Sequence, residues 1–257
     1  MPLKSSPQPA PSAELRAGGD CPDRVPDPAG PISPGAPLDN IVWHALTGPQ
    51  ARFAAGEGGA RRFARGFSAL LGFEDPASPD FGAIEPYCDP GEAFYCLRWR
   101  GPAPRGWRIV AEGPICLMVC REPVEWPDAP KATPLSAEHV PQALALAEAT
   151  RPGPFGPRTM ELGDYVGVFE DGRLVAMAGE RMRAGAFREI SGVCTDPAHR
   201  GRGLALQLLS HLLRRQRERG EQSFLHVMRD NPGARRLYES LGYRLHAETQ
   251  VRVIERE

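Results

Sequence analysis

Between Phe187 and Gly220 the chain reads FREISGVCTDPAHRGRGLALQLLSHLLRRQRERG. An apolar run of strand type ends at Asp196-Pro197. A turn with two glycines follows, and a long amphipathic segment opens directly behind it. Leu204, Ala205, Leu208, Leu209, Leu212 and Leu213 recur at helical spacing, and Gly220 suits the C′ position of that helix. The first turn of a helix has N–H groups without internal partners and carries the positive end of the helix dipole. Gly201 and Gly203 clear side chains from that point, so a phosphate can approach the amides, and Arg200 and Arg202 add positive charge. The stretch constrains the chain to a strand, an anion cradle and a helix in sequence. The basic run Arg214–Arg219 complements the negative end of the helix, and nucleic-acid binding would need further basic and aromatic partners.

Three phosphate-loop patterns compete for this turn. A Walker loop requires Gly-Lys-Ser/Thr, which is absent. A dinucleotide fingerprint requires a third glycine, where Leu206 stands. The remaining pattern is an arginine, two residues, a glycine, one residue, then glycine or alanine, which Arg200, Gly203 and Ala205 satisfy.

The rest of the chain sets this unit in context. Its 257 residues allow one large domain or two small ones, and a formal net charge of −1 gives no bulk reason for a nucleic-acid or anionic-membrane partner. No apolar run is long enough for a bilayer, and no signal-peptide pattern opens the chain. The six cysteines form no CxxC pair and no metal-type spacing, which points to free, mostly buried thiols in a reducing cytoplasm. Residues 1–37, crowded with Pro, Gly, Ser and Ala, read as a disordered arm. Residues 38–130 read as an α+β region of unassigned role. A short helix through Leu46 is capped by Asp39 or Asn40, and a helix spans Ala60–Leu71 with Arg61, Arg62 and Arg65 on its solvated face. Strands follow at Phe94–Trp99, Trp107–Val110 and Ile115–Cys120, with Trp43, His44, Trp99 and Trp107 as core or lid residues. A Pro-rich linker at Pro123–Pro134 marks the main boundary. Beyond it, residues 131–257 alternate as α-β-β-β-α-β-α-β, an α/β fold with a mixed sheet. That order comprises a helix to Thr150 striped by Val140, Leu144 and Ala147, a hairpin turn at Asp171-Gly172, and strands at Phe187–Thr195 and Ser223–Met228. Asn231 caps a helix that Pro232 opens and Gly242 stops.

With these motifs in hand, Glu189-Ile-Ser-Gly-Val193, Asp196–Ala205 and Asn231–Tyr243 resemble the GCN5-related N-acetyltransferase (GNAT) superfamily, in particular its FR47-like branch. The resemblance covers Thr133–Ile254, about half the chain. It implies acetyl-CoA as co-substrate without a metal, and transfer of the acetyl group to an amine by direct attack. It places the cofactor between two splayed parallel strands. Backbone groups of Val193, Cys194 and Thr195 would meet the pantetheine arm, with Gly192 at the associated bulge. The pyrophosphate would lie on Arg200, Gly201, Arg202, Gly203, Leu204 and Ala205, and Asn231 would contact the arm. By the same resemblance Tyr238 protonates the departing thiolate and Glu189 is the candidate base, against a structural salt bridge with Arg181 or Arg188. His226 reads as a satisfied strand histidine or a proton relay. The acceptor is a small-molecule or peptide amine, and a homodimer is left open. Two other readings stand beside this one: a catalytically idle acyl-CoA-binding module, and a two-lobed fold in which residues 38–130 are a degenerate copy of the second half.

Overall fold

The computed structural model describes residues 37–122, 124 and 132–257. The expected arm and most of the expected linker lie outside them. A 3-10 turn over Pro37–Asn40 leads into α1 (Ile41–Thr47), which buries Ile41, Val42, Ala45 and Leu46. Asn40 does not cap α1. Its side-chain amide donates instead to the carbonyls of Phe73 (2.7 Å) and Glu74 (3.1 Å), tying the helix to a strand. The first half continues with β1 (Ala54–Ala55), β2 (Ala60–Phe63), β3 (Leu70–Phe73), the single turn α2 (Phe81–Ile84), β4 (Ala93–Leu97) and β5 (Trp107–Cys120).

The helix expected over Ala60–Leu71 is therefore two strands. Phe63, Phe67, Leu70 and Leu71 are all buried, but Gly66 sits at φ +86° and turns the chain between them. A run buried on both faces has no period that separates strand from helix. Nor is Arg62 solvated. It is buried, with two hydrogen bonds of 2.8 Å to Glu92 and its guanidinium over the Phe94 ring. The two expected strands at Trp107–Val110 and Ile115–Cys120 are one strand, because Pro114 keeps its place in the ladder opposite Gln250.

The second half follows the expected order more closely. It comprises β6 (Thr133–Pro134), α3 (Val140–Thr150), β7 (Tyr165–Glu170), β8 (Arg173–Ala184), β9 (Phe187–Thr195), α4 (Leu204–Glu218), β10 (Gln222–Met228), α5 (Pro232–Ser240) and β11 (Tyr243–Arg256). Asp171 (φ 49°) and Gly172 (φ 75°) make the tight turn between β7 and β8. The buried side of α3 is Ala143, Leu146 and Ala147, one residue round from the expected stripe.

Among the described residues all strands join one eleven-stranded sheet in the order β1-β2-β3-β4-β11-β5-β10-β9-β8-β7-β6. The two parallel pairs are β3–β4 and β9–β10; the other neighbours run antiparallel. Leaving aside β6 at one edge, the order is palindromic about the β11–β5 pair. Each half sends its last strand into the other, so β5 lies between β10 and β11, and β11 lies between β4 and β5. Alternation along β5 feeds both faces. Cys116 and Met118 pack under α4 with Leu208, Leu209 and Leu212, while Leu117 and Val119 pack with Ile41, Val42 and Leu46 of α1. Full burial of each such side chain is worth roughly 1.5–3 kcal/mol, so β5 ties both layers together. The sheet curls enough for α1 to touch both β3 and β8. Trp99 and Trp107 are core residues around Phe81, with ring centroids 5.0 and 5.3 Å away.

Candidate active site

The strands β9 and β10 pair in parallel from Phe187/Gln222 to Ile190/Leu225 and then part. On its other edge β9 carries a bulge. Gly179 pairs with Ser191 and Met177 with Cys194, so Gly192 and Val193 together oppose Ala178. Gly192 has φ +63°, and a Cβ there would lie 3.1 Å from the Tyr165 ring, so conformation and space both select glycine. From Ser191 to Thr195 the backbone has no ladder partner on the β10 side. The result is a V whose arms are Ser191–Thr195 and His226–Met228. Cys194 is buried, and burial pushes its thiol up to about 11, so it is no nucleophile at neutral pH.

At the mouth of the V, Asp196 caps a 3-10 turn by accepting from the Ala198 N–H (2.9 Å), and it also pairs with Arg173. Gly201 (φ +76°) and Gly203 (φ +73°) then take left-handed conformations, and no atom lies within 4 Å of where their Cβ atoms would be. The helix α4 begins at Leu204, and the Gln207 N–H bonds to the Gly203 carbonyl (3.1 Å). The N–H groups ahead of Gln207 thus open onto free space, a cradle that fits a pyrophosphate. The side chain of Leu204 points into the core, leaving only its backbone for a ligand. Arg200 is exposed, with Nε 3.4 Å from the Thr195 carbonyl, whereas Arg202 is engaged by Glu170 at 2.6 and 2.9 Å.

The α5 helix follows β10 and packs against β11. Asn231 caps it, accepting from the Ala234 N–H at 3.1 Å. Tyr238 packs among Leu225, Val227 and Tyr243, its ring 5.9 Å from that of Tyr243. Its hydroxyl makes no hydrogen bond among the described residues. Burial pushes the phenol up to about 12, so it holds its proton at neutral pH and can give it but not take one.

Glu189 lies on the opposite face of the sheet, in register with Phe224 on the α1 side. It was expected as the base, and its surroundings argue otherwise. It is completely buried. Arg181 donates to both of its oxygens (2.9 and 2.8 Å), the Met182 N–H donates at 3.3 Å, and His226 Nδ1 lies 2.9 Å from Oε1. Burial alone would raise its pKa, but the Arg181 guanidinium and the bonds from Arg181 and His226 outweigh that and hold it at about 2. A carboxylate so stabilised has little affinity for a proton. The salt-bridge alternative is met by Arg181; Arg188 pairs instead with Glu221.

Two further features were not legible as site elements. The Tyr165 hydroxyl is buried without a partner among the described residues, reaching over Gly179 to the Gly192 bulge. Burial raises that phenol too. A narrow crevice of about 20 Å³, room for about one water, runs beneath α1, and His226 is among its lining residues. Much of its wall comes from residues 38–98, so nothing near the motifs announces it. Among the described residues there is no cluster of side chains that could hold a metal ion, and no helix is long and apolar enough to cross a membrane.

Comparison with known proteins agrees with this geometry. A family model described as FR47-like protein matches residues 165–253. A solved structure from Novosphingobium aromaticivorans, described as an acetyltransferase of the GNAT family, is 36% identical, with a TM-score of 0.78 over 86% of this chain and 99% of that one. A GCN5-related N-acetyltransferase from Kribbella flavida shares the fold at 20% identity, with a TM-score of 0.53 over 84% of this chain and 94% of that one. N-alpha-acetyltransferase RimI of Mycobacterium tuberculosis is 40% identical over 82 residues, 31% of this chain and 51% of that protein. The chain therefore matches about half of that relative's length. The chain belongs to the GNAT superfamily, and its residues 165–253 are similar to the FR47-like model.

Proposed function

We propose that the protein is an acetyl-CoA-dependent N-acetyltransferase working by direct transfer to a primary amine. The observation that carries this reading is the V between β9 and β10, with an open glycine cradle at its mouth and a protonated tyrosine on one side. Bound there, acetyl-CoA supplies a thioester. The amides from Gly201 to Ala205 and the exposed Arg200 hold the pyrophosphate, while Arg202, bound to Glu170, shapes the loop. Backbone groups of Val193, Cys194 and Thr195 pair with the pantetheine arm. Asn231, whose Oδ1 is spent on the cap, can still offer its amide N–H to that arm. Tyr238 gives its proton to the sulfur as the thiolate leaves. Glu189 serves as an anchor for its neighbours rather than as the base. The buried free thiols fit a reducing cytoplasm.

The palindromic strand order supports a second part of this reading. Residues 38–120 are a copy of the same fold that has lost its cradle, since α2 has four residues where α4 has fifteen.

Coenzyme A release is the test, followed with a thiol reagent across α-amino acids, short peptides, simple amines and polyamines. α-Amines come first because a relative is an N-alpha-acetyltransferase. Turnover of any amine supports the enzyme. Tight acetyl-CoA binding with no turnover across all of these classes favours the idle binding module.

A further inference from the structure

The far end of α4 borders a pocket that acetyl transfer leaves unused. Its walls include Cys120 at the end of β5, Leu213 and Gln216 on α4, and Glu221 and Ser223 around the start of β10. It holds about 230 Å³, where the crevice beneath α1 has room for about one water. The glycine cradle lies at the opposite end of the same helix. With 15 residues in α4, the two are roughly 22 Å apart along its axis.

Two polar groups in these walls have bonding capacity left over. Gln216 is 1% exposed, and its Nε2 donates to Glu180 Oε1 at 2.9 Å. Arg219 donates to the same oxygen, so Glu180 is an ionised acceptor and the amide nitrogen has to face it. That leaves Gln216 Oε1 as a buried acceptor with no donor among the described residues. The Ser223 and Tyr243 hydroxyls lie 2.6 Å apart and share one hydrogen bond. One of their two hydrogens lies between the oxygens, and the other has no acceptor among the described residues. An unmade buried hydrogen bond is costly, so such groups mark where a ligand gains affinity. The rest of the lining is apolar or neutralised. Leu213 and Cys120 supply the apolar part, and burial pushes the Cys120 thiol up to about 11, so it stays protonated. Glu221 is paired with Arg188 and Arg219.

We propose that this pocket is a second ligand site, separate from the acetyl-CoA cradle, and that it takes a small neutral carboxamide on an apolar body. The carboxamide N–H donates to Gln216 Oε1, and its carbonyl accepts the spare hydrogen of the Ser223 and Tyr243 pair. The apolar body lies against Leu213 and Cys120. A carboxylate in its place would set oxygen against oxygen at Gln216. An ammonium would satisfy Gln216 and leave the hydroxyl hydrogen unmet.

The probe is benzamide, with benzoate and benzylamine as controls of similar shape, titrated by calorimetry into the full chain. Benzamide should bind with a Kd of about 1 mM, at least about tenfold tighter than either control. Saturating acetyl-CoA should leave that affinity unchanged within about twofold, because the two sites share no groups. Gln216→Leu should erase the preference for benzamide over benzoate. If that variant folds poorly, Cys120→Leu fills the pocket from β5 and should abolish benzamide binding with the thermal midpoint retained. No heat of binding at about 10 mM benzamide overturns the site. So does binding that acetyl-CoA displaces, or binding that survives Cys120→Leu. Equal affinity for the three probes, or tighter binding of either control, overturns the carboxamide class.

Discussion

The two parallel strand pairs of the sheet make a controlled comparison. Strands β3–β4 and β9–β10 hold equivalent places in a palindromic order, and each has a buried arginine on the strand before it, Arg62 on β2 and Arg181 on β8. They differ in what fills the space beside them. At the first pair, a Cβ on Gly72 would fall 2.9 Å from the Trp43 N–H nitrogen, so the α1 backbone lies directly on β3. At the second, Gly201 and Gly203 face open space. The helix after β3 is a single turn, and the connection from β4 to β5 has no helix at all, so nothing corresponds to α4, α5 or Tyr238. The same topology therefore gives a plugged pair that builds structure and an open pair that can take a ligand.

Loss of the buried acid in each half should separate the two most strongly. Glu189→Gln leaves Arg181 without its counter-charge in a fully buried position, a change that costs about 3–5 kcal/mol. Glu92 is 30% exposed and its arginine also donates to the Tyr87 carbonyl, so Glu92→Gln should cost distinctly less. Denaturant midpoints at constant m-value decide the matter; equal losses would erase the distinction between the halves.

Next comes Tyr238→Phe, which removes the proposed proton donor and keeps the packing against Tyr243. Turnover should fall at least about hundredfold, close to 3 kcal/mol of barrier, while acetyl-CoA affinity stays the same. Unchanged turnover would leave the second half without its acid. A smaller effect is expected from a glycine pair. Gly203→Val places a side chain in the cradle at φ +73° and should weaken acetyl-CoA binding by about tenfold or more, with a stability loss of about 1–2 kcal/mol. Gly72→Ala should do the reverse, costing about 1–3 kcal/mol of stability by overpacking on α1 and leaving acetyl-CoA affinity alone.

This contrast also explains what was legible in the sequence. The cradle, the caps at Asp196 and Asn231, the Asp171-Gly172 turn and the stops at Gly220 and Gly242 depend on neighbours within a few residues, and each is visible in composition and spacing. The first half has few such signals. Its strands β2 and β3 are buried on nearly every side, and burial without alternation mimics a helix. The exchange of β5 and β11 joins residues more than a hundred positions apart, as in Trp107 against Arg256, and hydrophobic runs carry no mark of their partners. For the site, Glu189 was legible as a strand carboxylate, but its role turned on Arg181 and His226, one on each neighbouring strand. The narrow crevice at His226 was invisible because Leu38, Phe73 and Arg98 come together from distant parts of the chain rather than from any local motif.

The smallest effect tests the buried pair by pH alone. Glu189 has a folded-state pKa of about 2, below its ordinary 4.5, so its contribution to stability is complete above about pH 4.5 and is lost as pH falls toward 2. By pH 4 the loss from this one group should be about 1 kcal/mol. Glu92 is lowered as well, by Arg62 and the Asp89 N–H against a rising push from burial, and contributes in the same direction. Thermal midpoints between pH 6 and pH 4 should therefore fall less steeply in Glu189→Gln than in the wild type, because glutamine cannot be protonated in this range. Glu92→Gln should flatten the same slope by a smaller amount. If the two slopes flatten equally, the carboxylate at the V is no more strongly held than the one in the plugged half, and Glu189 returns as a group able to accept a proton.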